Sequence, residues 1–181
     1  LQEQFSTSVP SYSEYAETVA SKFYEHYKNI DEKNRPELIL EPGSALVGDV
    51  MSFVARIVDI KNVRGRNIAT SSGSKFNIGL LTSNINMPIY VYNSPIDSIN
   101  YPQIDIAGYT CIESDILFHG YEGELGIGSF IRFSNVGSYS IVFKPPFIMP
   151  NVPVISCDDK GEVTVIKKEE TLEDIFSTYT F

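Results

Sequence analysis

A carboxylate stands at the end of a short aliphatic run. Pro36-Glu37-Leu38-Ile39-Leu40 is followed by Glu41-Pro42-Gly43-Ser44. The aliphatic residues predict a buried strand over Glu37–Leu40. Proline cannot extend a sheet ladder and glycine permits a sharp change of direction. Glu41 is therefore placed at the carboxyl end of a strand, where α/β enzymes carry their chemistry. An ordinary surface turn has the same composition. Lys61, Arg64 and Arg66 form a basic cluster that suits either an anion site or a solvated turn. Two cysteines, Cys111 and Cys157, give no disulfide framework and no metal pattern. His26 and His119 lie far apart without ligand-like neighbours, so no metal site is predicted.

The elements that must position these residues fall into two textures. Tyr15, Ala16, Val19, Ala20, Phe23, Tyr24 and Tyr27 recur at helical spacing. Ser11 with Glu14 predicts a capping box ahead of that helix. A polar connection over 29–36 then leads to the strand at 37–40, giving one αβ unit. Beyond Gly43 the chain turns to strands. Ala45–Ile60 predicts a long, bent strand and 61–66 a hairpin tip. Asn67–Thr70 is expected to pair with Lys75–Leu81 around Ser71-Ser72-Gly73-Ser74. Further strands are predicted at Ile89–Tyr92, Gly108–Cys111, Phe130–Phe133, Ser138–Phe143, Val152–Cys157 and Val163–Lys167. A short helix over Leu172–Thr178 is capped by Thr171 with Asp174. The fold class is mainly β, with a barrel or sandwich following one αβ unit.

Hydrophobic residues make up 43% of the 181 and charged residues 20%, enough for a packed core. No apolar run reaches the roughly 18 residues of a membrane span. The net charge of −9 disfavours contact with nucleic acid or an anionic membrane. Unpaired cysteines suit a reducing cytoplasm.

Three later segments extend the opening motif. They are Gly108-Tyr109-Thr110-Cys111-Ile112-Glu113-Ser114-Asp115, Leu125-Gly126-Ile127-Gly128-Ser129-Phe130-Ile131-Arg132-Phe133, and Gly137-Ser138-Tyr139-Ser140. With Glu41-Pro42-Gly43, in this order, they resemble the C-terminal part of the fold-type III pyridoxal-phosphate decarboxylases. That family includes the ornithine, arginine and diaminopimelate decarboxylases. The resemblance covers residues 12–157. It implies a (β/α)8 barrel followed by a β domain, about twice the present length. Residues 1–43 would then be the end of the barrel and residues 44–181 the C-terminal β domain. Since the chain starts at Leu1 rather than Met, it is read as a fragment. Its Schiff-base lysine and glycine-rich phosphate loop are expected upstream, in a missing N-terminal portion, and the fragment alone is expected to be inactive.

The resemblance implies roles for particular residues. Glu41 would face the pyridine nitrogen of pyridoxal 5'-phosphate. Gly43, Ser44 and Tyr139 would lie at its phosphate, although the family usually has arginine where Ser44 stands. Cys111 would enter the active site of the partner subunit in a homodimer and assist protonation after carbon dioxide leaves. The acid that usually follows this cysteine is replaced by Ile112, with Glu113 one position later. Asp115 keeps the family's spacing from the cysteine. Asn93 stands where amine-selective members often have aspartate. Asn93, Glu113 and Asp115 are the expected substrate contacts, and the substrate is an amino acid without a simple cationic tail. Two other readings are compatible with the sequence. One is a homologue of weak or no activity that binds partner proteins, suggested by Ser44 and Ile112. The other is an amino-acid racemase of related fold.

Overall fold

The computed structural model describes residues 8–79, 85–92 and 98–180. Its first element, α1 (Tyr12–Tyr27), carries the predicted capping box: the Ser11 side chain accepts from the Glu14 amide, and the Glu14 carboxylate accepts from the Ser11 amide. The Tyr12 hydroxyl donates to the Ala45 carbonyl and so ties this helix to the segment after Gly43.

Residues 36–43 have no regular secondary structure, and Leu38, Ile39 and Leu40 are exposed. The predicted strand at 37–40 has no hydrogen-bonding neighbour among the described residues. The long strand expected from Ala45 begins later. Ser44–Val47 is a short helix (α2), followed by a 3-10 turn over Gly48–Val50. Apolar content alone could not separate this helical turn from a strand.

A six-stranded sheet follows. Its strands are β1 (Phe53–Val63), β2 (Arg66–Ser71), β3 (Ile89–Tyr92), β4 (Ile99–Ala107), β5 (Ile116–Leu125) and β6 (Phe130–Phe133), in the order β3-β6-β1-β2-β4-β5. All neighbours are antiparallel except the parallel pair β2–β4. β1 is shared along its length. Phe53–Arg56 pairs with β6, and the rest pairs with β2 after a register shift between Ile57 and Asp59. This irregularity bends the sheet toward a nearly closed barrel. Alternate residues point inward to the core: Ala55 and Ile57, Ile104 and Ile106, Ile131 and Phe133 are each at most 1% exposed.

The β1–β2 connection is the expected tip. Arg64 and Gly65 both take positive φ, as a two-residue hairpin turn requires. The basic cluster is split there: Arg66 pairs with Asp105 at 2.6 Å and Lys61 lies 3.8 Å from Asp59. A second sheet contains β7 (Val154–Cys157) and β8 (Val163–Lys167), and α3 (Leu172–Phe176) follows with its Thr171–Asp174 box.

Several expectations need correction. Asn67–Thr70 does not pair with the segment after it; β2 pairs with β1 and β4, and Lys75–Ile78 is a 3-10 turn capped by Ser74. Residues 108–111 begin a loop, and residues 138–143 form turns. Cys157, at the end of β7, is exposed.

Buried Asp115 organises the loop between β4 and β5. One carboxylate oxygen accepts from the Ser74 hydroxyl (3.0 Å) and the Lys75 amide (2.8 Å). The other accepts from the Thr110 hydroxyl (2.6 Å) and amide (3.2 Å). Gly108 lies against this carboxylate so closely that an added Cβ would overlap it. The backbone of Gly137 donates to the Gly48 carbonyl at 2.8 Å, and an added Cβ there would overlap the Val47 carbonyl oxygen.

Three predictions follow from the helix caps and these contacts. Glu14 and Asp174 are both held below the usual carboxylate range, first by the backbone and then by the side-chain hydrogen bonds of their caps. A lowered folded pKa gives stabilisation that is present above the unfolded value and lost as pH falls through the folded one. Acidification below 4.5 and 3.8, the ordinary values, should therefore fray α1 and α3 at their N-termini, seen as loss of amide-exchange protection at Glu14 and Asp174. Asp115→Ala should strand several buried donors and cost about 3 kcal/mol or more in chemical denaturation. Gly137→Ala should cost about 1–3 kcal/mol through overpacking against α2.

Candidate functional site

Two loops carry the predicted site residues, and one short turn joins them. The first loop group is built from 43–50 and 135–140. Gly43 precedes α2, and the position of a Cβ on it lies 3.9 Å from the Tyr139 hydroxyl. The Gly137–Gly48 hydrogen bond and a second from the Val136 amide to the Met51 carbonyl (3.2 Å) lock the two segments together. Gly43 and Tyr139, far apart in sequence, thus lie close together. Ser44 opens α2 beside them and Glu41, two residues earlier, is exposed.

Tyr139 is not a core tyrosine, nor does it lie on a strand. It is 53% exposed and takes a φ of 63°. A bulky residue in the left-handed region is uncommon and needs surrounding contacts to hold it. Phe143 supplies two: its ring stacks at 5.3 Å and its amide donates to the Tyr139 carbonyl at 2.9 Å. In the same loop the Ser140 hydroxyl donates to the Val136 carbonyl. The Ser138 hydroxyl and the Asn135 amide nitrogen are buried with no partner among the described residues.

The second loop holds Cys111, Ile112 and Glu113, all exposed, on the turn that Asp115 ties down. Cys111 is exposed, unlike the usual buried free cysteine. Glu113 faces solvent, whereas Asp115 is 2% exposed with both carboxylate oxygens engaged internally. The expectation treated Asp115 as a substrate contact; its geometry makes it the anchor of the Cys111 turn. Tyr109 packs at the base of this loop, and burial, then the Asp115 charge, raises its phenol pKa. Asn93 lies outside the described residues.

The joining element is the turn Lys75–Ile78 with Gly79. Its first residue is bound to Asp115, whereas Gly79, at φ +69°, packs on the Ser138 carbonyl; an added Cβ would sit 2.5 Å from that oxygen. A 3-10 turn rises about 2 Å per residue, so the two anchor points are on the order of 10 Å apart. Ser74, Lys75 and Gly79 escaped the sequence reading, because Ser-Gly-Ser looked like a hairpin turn. The cap pattern of Ser74 followed three residues later by Asn77 was the available signal. Among the described residues no group of three or more His, Cys, Asp or Glu is placed to hold a metal. No described helix is long and apolar enough to cross a membrane.

No family model matches the chain. Among curated proteins it is 25% identical over 142 residues to a diaminopimelate decarboxylase of Methanothermobacter thermautotrophicus, covering 78% of this chain and 33% of that protein. It is 28% identical over 160 residues to a carboxynorspermidine/carboxyspermidine decarboxylase of Herminiimonas arsenicoxydans, covering 86% and 42%. The chain therefore spans less than half the length of the curated relatives it matches. Two solved diaminopimelate decarboxylases share its fold. One gives a TM-score of 0.78 at 15% identity over 98% of this chain and 44% of that one. The other, from m. jannaschii in co-complex with L-lysine, gives 0.75 at 20% identity over 100% and 41%. In sequence and in fold, the chain is similar to a portion of these decarboxylases.

Proposed function

We propose that this chain is the C-terminal part of an enzyme that removes carbon dioxide from an amino acid with the help of pyridoxal 5'-phosphate. The observation that carries this reading is the meeting of Gly43 and Tyr139, residues of two separate motifs, beside Ser44 and two residues from Glu41. The curated relatives, both decarboxylases by name, support it.

The donor set fits the cofactor. Tyr139 and Ser44 offer hydroxyls suited to phosphate oxygens, and the buried Ser138 hydroxyl and Asn135 amide lie in the same loop as Tyr139. When bound, pyridoxal phosphate supplies an electron sink for the bond that breaks. Glu41 would hold the proton on the pyridine nitrogen, since an adjacent anion favours the charged form of a cationic acid. The Cys111 thiol would return a proton to the substrate's Cα after carbon dioxide departs. Asp115 positions that thiol by fixing its turn. Ser44, unlike an arginine, brings no charge to the phosphate, so Tyr139 carries a larger share of its binding.

The enzyme would also require the N-terminal portion that bears the Schiff-base lysine, with residues 1–43 ending the barrel and 44–181 forming the β domain. A homodimer with shared active sites accounts for the exposure of Cys111 and for an apolar surface that includes Val142, Ile155, Val165 and Ile166. Two exposed thiols suit a reducing cytoplasm.

The test uses the full-length protein. It should take up pyridoxal phosphate with a Schiff-base absorbance band and release carbon dioxide from an amino acid. Tyr139→Phe should weaken cofactor binding roughly tenfold or more, the effect of losing a hydrogen bond to a charged group. Cys111→Ala should lower kcat roughly a hundredfold while sparing cofactor uptake. A colourless protein that releases no carbon dioxide would refute the reading, and stereoinversion without carbon dioxide release would make it a racemase.

A further inference from the structure

Tyr139 offers a hydroxyl at the Gly43 corner with no bond of its own to hold it there. The position of a Cβ on Gly43 lies 3.9 Å from that oxygen. Among the described residues the hydroxyl makes no hydrogen bond, and the residue is 53% exposed. An exposed side chain that turns freely must be immobilised when it binds a ligand, and this weakens binding. The backbone adds a second demand. A φ of 63° is uncommon for a bulky residue and persists only where the surroundings impose it.

Phe143 meets both demands. Its amide donates to the Tyr139 carbonyl at 2.9 Å, closing a turn over the left-handed position. Its ring lies 5.3 Å from the Tyr139 ring at 30°, within the range of a favourable aromatic pair. Among the described residues Phe143 is the aromatic neighbour of Tyr139. The bonds made by the Val136 and Gly137 amides fix the loop before Tyr139, but they act on the backbone alone. Phe143 is itself 49% exposed and lies outside the core cluster, so its ring is not there to fill the interior.

We infer that Phe143 is a positioning residue: it holds Tyr139 in the conformation that presents the phenol hydroxyl beside Ser44, and so raises the affinity for the phosphate of pyridoxal 5'-phosphate. This rests on the cofactor reading above and adds a residue that none of the motifs contains. The chemistry of the corner gives the pair its weight. Ser44 brings a hydroxyl but no charge, so the strength of the phosphate site depends on how well its neutral donors are held in place beforehand. Phe143 acts through Tyr139 and donates nothing to the phosphate itself.

The full-length protein, stripped of cofactor, can be titrated with pyridoxal 5'-phosphate and with pyridoxal, which lacks the phosphate. Phe143→Leu keeps the amide and the apolar bulk but removes the ring. It should weaken binding of the phosphorylated form by roughly fivefold, within what an aromatic pair contributes, and leave the affinity for pyridoxal unchanged. Phe143→Tyr retains a ring and should restore most of the loss. In a Tyr139→Phe protein, Phe143→Leu should bring no further loss, because the hydroxyl it positions is already gone. Phe143→Met is the second ringless variant should Phe143→Leu not fold. Unchanged affinity in the ringless variant would overturn the inference. So would an equal loss for both compounds, or a full additional loss in the Tyr139→Phe background, either of which would reduce Phe143 to a structural role. In these outcomes the unmodified protein still binds the cofactor. Uptake of neither compound by the unmodified protein is the separate failure of the cofactor reading, and it would overturn this inference as well.

Discussion

A buried carboxylate must have its oxygens satisfied, and Asp115 meets that demand with donors from two distant stretches of chain. Ser74 and Lys75 follow β2, whereas Thr110 follows β4. The parallel pairing of those strands brings their ends to the same side of the sheet, and the carboxylate closes the gap between them. The position of Cys111 depends on this closure, because its turn has few apolar contacts of its own: Cys111, Ile112, Glu113 and Ser114 are all exposed. Gly108 is part of the same constraint, since any side chain there would occupy the carboxylate's space.

From that anchor the order spreads in one direction. The Asn77 side chain accepts from the Ser74 amide, and the turn ends at Gly79 against the Ser138 carbonyl. Ser138 lies in the loop that the backbone of Gly48 and Met51 holds to α2. Fixed points therefore run from the Cys111 turn, through Lys75, to Tyr139. Backbone amides and buried hydroxyls supply most of these points. Such bonds are short and local, so the site's geometry does not rely on long charged side chains with their entropic cost.

Much of this was legible in the residue pattern, for physical reasons that differ by element. The hairpin at Arg64-Gly65, the strands at Ile89–Tyr92 and Phe130–Phe133, and both capping boxes depend on local chemistry and were readable. β4 and β5 were not. Pro102 interrupts the first, and the sheet absorbs it through register shifts between Tyr101 and Ile106. Gly120 and Gly123 suggest turns in the second, yet both lie within the strand at positive φ, where the Asp105 carboxylate receives the Gly120 amide. Non-local pairing overrode the local signal. Residues 138–143 erred the other way: β-branched and aromatic content suggested a strand, but the left-handed Tyr139 breaks it. The motifs singled out Gly43 and Tyr139, which lie close together in the fold, while nothing in them indicated that Asp115 is interior or that Lys75 is bound to it.

The contact between Gly137 and the 47–48 backbone has a consequence for how such a site can change over time. It is made by main-chain atoms, so it survives substitution of the side chains beside it. Side-chain replacements at positions 44 and 138 remove none of the main-chain atoms that make it. Geometry and chemistry are inherited separately here. A lineage, or a protein engineer, can change the side chains of this corner by single replacements without rebuilding the scaffold that frames it.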